Sequence, residues 1–167
     1  EGAVKWTANI GAALGTSSPA TDGTCVFVGG NRLYGFSLVE VGPPDGIGDV
    51  CPGWLAGGYQ LGAVTTTVPG APMIVSPNVY ALNNLGDLFS VPLVPPLVDP
   101  VALVYDAFPG VGSGSLAYDN SGLKDYIYWT LGGKLHRWNI TDSLPAAFTL
   151  SGATANSTPV IDSAGNV

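Results

Sequence analysis

The fold is decided by Val26-Phe27-Val28-Gly29-Gly30-Asn31-Arg32-Leu33-Tyr34-Gly35-Phe36. Apolar residues alternate on both sides of Gly-Gly-Asn, with aromatic and β-branched side chains suited to a half-buried pleat. Glycine and asparagine tolerate the positive φ of a tight hairpin, so the stretch predicts strand, turn, strand. The same order returns at 79–91 (VYALNNLGDLFSV) and at 127–138 (IYWTLGGKLHRW). The aromatic residue of the leading strand advances from Phe27 to Tyr80 to Tyr128, in steps of 53 and 48 residues.

A second landmark precedes each hairpin. Ser18-Pro19-Ala20-Thr21-Asp22-Gly23, Ala71-Pro72-Met73-Ile74-Val75, Ser115-Leu116-Ala117-Tyr118-Asp119 and Thr158-Pro159-Val160-Ile161-Asp162 each read as a short strand. Positions 19, 72, 116 and 159 lie 53, 44 and 43 apart, and the longer first step holds an insertion rich in turn formers at 41–52 (VGPPDGIGDVCP). A period of about 40–50 residues with three or four strands per repeat marks a β-propeller blade. The expected fold is an all-β propeller segment of about three to four four-stranded antiparallel blades in an incomplete ring. It forms a single domain over 1–167, with blades near 12–61, 62–108 and 109–152 and strands of neighbouring blades at 1–11 and 153–167. An up-and-down sandwich also gives short, evenly spaced strands, but does not explain why the same order recurs.

The 17–38 stretch (SSPATDGTCVFVGGNRLYGFSL), preceded by Gly2-Ala3-Val4-Lys5-Trp6, resembles the pyrroloquinoline-quinone-type propeller repeat. That repeat runs Ser-Ser-Pro, Asp-Gly turn, aromatic strand, Gly, Leu-Tyr-Ala-Leu-Asp, Gly, Trp. The likeness extends over almost the whole chain and departs most at 91–99, where prolines replace the Asp-Gly-Trp ending. The resemblance implies one of two functions. Dehydrogenase members of the family use adjacent cysteines, a calcium site, a catalytic aspartate and a tryptophan floor. This chain has no Cys-Cys pair and no acidic constellation assignable to those roles. Non-enzymatic members, such as the propeller lipoprotein of the outer-membrane barrel-assembly machinery, keep the repeat without the cofactor, and the chain resembles that group more.

Composition narrows the partners. Five Lys+Arg against twelve Asp+Glu give a net charge of −7, which argues against nucleic acid, since phosphate binding needs a clustered basic surface. The 24 Gly and 14 Pro argue against a helical bundle. The most apolar segment, 89–105 (FSVPLVPPLVDPVALVY), holds four prolines and Asp99 and reads as an apolar loop or edge segment, not a spanning helix. The opening EGAVKWTANIGAA has no signal-peptide pattern. Cys25 and Cys51 are either a disulfide or two buried thiols. With few lysines and acceptor sequences at Asn139-Ile140-Thr141 and Asn156-Ser157-Thr158, they point to an extracellular, periplasmic or organelle-lumen setting.

The chemistry-bearing residues mostly have plainer readings. His136, the single histidine, stands in the repeat slot of Tyr34 and Phe89 and reads as packing. Ser115, His136 and Asp142 make a weak triad without a nucleophile elbow. Asp119-Asn120-Ser121-Gly122-Leu123-Lys124-Asp125 lacks the twelfth-position glutamate of a calcium loop and reads as an acidic turn. Gly110-Val111-Gly112-Ser113-Gly114 lacks a phosphate loop's lysine and helix. Trp6, Trp54, Trp129 and Trp138 suit blade packing before sugar stacking. The sequence thus reads as a non-enzymatic scaffold without catalytic residue, metal or cofactor. It binds a protein partner, further blades of the same polypeptide or a glycan through loops at 41–52 and 91–99. A fragment of a quinone-dependent alcohol or sugar dehydrogenase is the alternative.

Overall fold

A computed structural model describes residues 6–11, 17–39, 47–96, 100–106, 114–122, 124–149, 158–162 and 167. Among the described residues, eleven strands form three antiparallel sheets. The first holds β1 (Ala20–Thr21), β2 (Cys25–Gly29) and β3 (Leu33–Ser37). The second holds β4 (Met73–Val75), β5 (Asn78–Leu82), β6 (Leu88–Pro92) and β7 (Ala102–Tyr105). The third holds β8 (Ala117–Asp119), β9 (Tyr126–Leu131), β10 (Lys134–Asn139) and β11 (Leu144–Thr149). Each strand pairs with its sequence neighbours. Strands β1, β4 and β8 each begin one residue after the repeat landmarks at 19, 72 and 116.

Alternation within the middle sheet shows how the sheets are arranged. Val79, Ala81, Phe89 and Val91 join a buried cluster with Cys25, Phe27 and Leu33 of the first sheet. Their neighbours Tyr80, Leu82 and Leu88 join a different cluster with Ile127, Trp129 and Leu131 of the third. Because successive side chains of a strand leave opposite faces, the middle sheet is covered on both sides by sheets of the same design. Two facing sheets would bury only one face of each, so a sandwich is excluded.

The leading strands are stitched at the repeat interval. The Ser17 hydroxyl donates to the Gly70 carbonyl at 3.0 Å, 53 residues on. The Ala71 amide donates to Ser115 Oγ at 3.2 Å, 44 residues on. Strands β1 and β4 also touch. Sheets stacked face to face and joined along their first strands are consecutive blades, and the chain is an all-β partial propeller.

One expectation needs correction. Among the described residues the first blade has three regular strands, not four. Its open edge is closed by backbone bridges instead: the Ser37 amide donates to Asp49 O, the Cys51 amide to Gly35 O, and Leu33 and Tyr59 exchange both bonds. Gly53 and Gly58 take positive φ there, and these turns prevent one straight strand from running the length of β3. Of the two readings of the 89–105 segment, loop or edge segment, the second holds. Its ends are most of β6 and all of β7, which pair with a register shift between Leu88 and Phe89. Among the described residues no helix is long and apolar enough to cross a membrane.

Candidate functional site

The insertion and the proline-rich connection, far apart in sequence, meet on one rim of the first two blades. Cys51 is bonded to Cys25 on β2, with Cα atoms 5.7 Å apart. Three residues on, the Trp54 ring lies against Phe27 at 4.8 Å and edge-on to Tyr59 at 5.1 Å. Its indole N–H donates to the Leu93 carbonyl at 3.0 Å. Gly35 makes room for this ring, because a Cβ there would stand 2.7 Å from Trp54 Cδ2. Residues 47–52 are therefore the lining of the first blade's edge, not the free loop expected from their turn composition. Of 91–99, Leu93 packs into the core while Val94 stays 82% exposed. Residues 40–46 and 97–99 lie outside the described residues.

A small cleft of about 200 Å³ opens at this meeting point, lined by Asp22, Thr24, the disulfide, Pro52, Leu93 and Val94. Its floor is held rigidly. Asp22 Oδ1 accepts the Thr24 and Cys25 amides at 2.8 and 2.7 Å, fixing the turn ahead of β2. A disulfide, an anchored indole and an Asx turn thus carry an exposed valine and proline. That arrangement suits apolar contact with a preorganised surface.

A larger groove of about 390 Å³ lies on the other face of the first blade, between β2–β3 and the segment 6–11. Val26, Val28 and Phe36 face it, with Trp6 and Ile10 opposite and Pro19 at its side. Trp6 meets Phe36 at 5.9 Å, and Thr7 forms a parallel bridge with Ile47. This face corresponds to the one that each later blade presents to its predecessor.

The remaining sequence candidates fall elsewhere. His136 is buried, its ring stacked on Trp129 at 5.3 Å and edge-on to Tyr105 at 5.8 Å. Burial pushes it below the ordinary histidine range, partly offset by a hydrogen bond to the backbone of Leu131. Ser115 Oγ takes the Ala71 amide, and Asp142 takes Lys124 and Asn139, so neither is directed to His136. Asp119 Oδ1 accepts the Ser121 amide at 2.8 Å, and its bonds to Ser121 hold the carboxyl below the usual range. Among the described residues no three His, Cys, Asp or Glu side chains are grouped to share a metal ion. Trp54 and Trp129 are buried between blades, with no face free for a sugar ring.

Asn139, the first acceptor candidate, is 6% exposed. Its Nδ2 donates to Asp142 Oδ2 at 2.8 Å, and its Oδ1 accepts the Thr141 and Asp142 amides. That carboxamide is the cap of a turn. Asn156, and 110–113 of the glycine run, lie outside the described residues. The feature missed from sequence is the edge role of 53–61. Its signal was present in Gly53-Trp54 and Gly58-Tyr59, two aromatic residues each set on a turn glycine.

By its sheets this molecule belongs to the propeller class. No family model matches the chain, and no curated protein matches it. Among solved structures it is similar to that of BamB from Moraxella catarrhalis, with 14% identity and a TM-score of 0.48. The likeness covers 86% of this chain and 39% of that one.

Proposed function

We propose that the chain is part of a quinoprotein-like propeller acting as a non-enzymatic binding scaffold outside the cytosol, with a protein partner at the rim where 47–61 and 91–96 meet. One observation carries the reading: exposed Val94 and Pro52 line one cleft with the Cys25–Cys51 bond, on a connection that Trp54 holds in place. An apolar side chain fixed in solvent contributes nothing to its own fold, and a preordered surface loses little entropy on binding. The disulfide supports an oxidising compartment. The groove beneath Trp6 is, in this reading, covered by further blades of the same polypeptide or by a partner.

A photo-crosslinking residue at position 94 tests the proposal in the native compartment. Protein adducts at 94, and none at exposed Thr141 in the third blade's turn, are the expected result. Equal labelling at both positions, or none at 94, contradicts it. A dye-linked dehydrogenase assay with added quinone and calcium distinguishes the enzyme alternative, because cofactor-dependent turnover overturns the scaffold reading.

A further inference from the structure

His136 sits at the joint between the second and third blades with Nδ1 buried and without a hydrogen-bond partner; Trp129 Nε1 beside it is in the same condition. The two residues are direct cross-strand partners, and their rings are stacked 16° from parallel. Tyr105 of β7 closes the site from the second blade, touching Trp129, His136 and Trp138 within 6.3 Å. The imidazole is thus one layer of the apolar contact that holds two blades together.

We propose that this joint is an acid-sensitive device, kept shut by neutral His136 and loosened when the imidazole takes up a proton.

A buried imidazolium needs a counter-ion or several hydrogen bonds, and an apolar joint supplies neither. Its hydrogen bond to the Leu131 backbone favours the proton but is outweighed by burial, and the charged and titratable groups nearby add no support. Lys134 lies two residues along β10 on the same face, and its charge opposes protonation. Ala147 of β11 is the register partner on the other side. Tyr80 and Tyr118, on the same joint, have hydroxyls raised above 10.0 by burial, so they stay neutral in acid. Asp106, next after Tyr105, is exposed to solvent.

The sign follows from these surroundings. The unfolded chain carries His136 near its ordinary pKa of 6.5, and the folded chain holds it lower. Between the two values the open form binds more protons, so the closed joint weakens as pH falls below about 6.5. The first blade has no histidine and keeps its packing.

With one histidine, the experiment can be read directly on the intact, disulfide-bonded chain. Ring carbon and proton shifts of His136 are followed by NMR from pH 8 to pH 4, with tryptophan emission recorded in parallel. The expected result is a titration shifted below the ordinary range, accompanied by a red shift of emission. In His136→Phe, which places the residue of the Phe89 slot at this position, the red shift at that pH is absent. An unshifted titration in the native chain overturns the proposal without reference to any variant. So does a folded His136→Phe that keeps the same acid transition.

Discussion

At the residue scale, small or polar side chains limit what the neighbouring blades tolerate. Asn83 is 1% exposed; its Oδ1 accepts the Leu85 and Asp87 amides, and its Nδ2 donates to Asp87 Oδ2 at 2.9 Å. Replacing it by alanine removes the partner of two part-buried backbone donors, at a cost of about 1–3 kcal/mol in all. Asn83→Ala is expected to lower the urea midpoint with little change in slope; an unchanged midpoint contradicts the assignment. Gly35→Ala forces its new methyl into the Trp54 ring. Overpacking of this kind costs about 1–3 kcal/mol, and the indole emission should report the ring's displacement. The Asn83 turn was legible in sequence because its partners are two and four residues away, whereas the partner of Gly35 was not. Gly35 lies within β3, and the Trp54 ring it accommodates comes from a segment whose path no local pattern encodes.

Elements were read more successfully, for a physical reason. A strand pair with one turn between is specified by nearby residues, so all three hairpins at 26–36, 79–91 and 127–138 were visible from alternation and turn chemistry. Strand β7 was obscured because the prolines at 92, 95, 96 and 100 resemble a loop, although they lie at a strand end or in the connection and leave the ladder of Ala102–Tyr105 intact. The edge of the first blade was hidden because 49–51 and 59 pair with β3 by single bridges too short to show a period. The disulfide closes a loop with a sequence separation of 26, and a bond of that span contributes about 2–4 kcal/mol. Cys25→Ser with Cys51→Ser should lower stability by about that amount. It should also release the amides of Ser37 and of position 51 to hydrogen exchange before those of β9. Uniform loss of protection across the three sheets contradicts an edge role.

For the whole molecule, the repeat interval is also the spacing of the hydrogen bonds between blades, at Ser17–Gly70 and Ala71–Ser115. The period in the sequence is therefore a record of sheet stacking, which is why the architecture was readable and the binding rim was not. A rim is made by departures from the repeat, and one chain shows a departure without showing what it meets. Stacking also predicts that blades are coupled through their neighbours. Trp129→Ala, which empties a fully buried site on the third blade, should cost about 3–5 kcal/mol and loosen the second blade before the first.

Methyl–aromatic nuclear Overhauser contacts from the middle sheet test the stacked arrangement most directly. Val79 and Val91 should show contacts to side chains of the first sheet, while Leu82 and Leu88 in the same sample show contacts to Ile127 and Trp129 of the third. Contacts from both sets to a single sheet, or a solvent-exposed face on either side of β5, would contradict it.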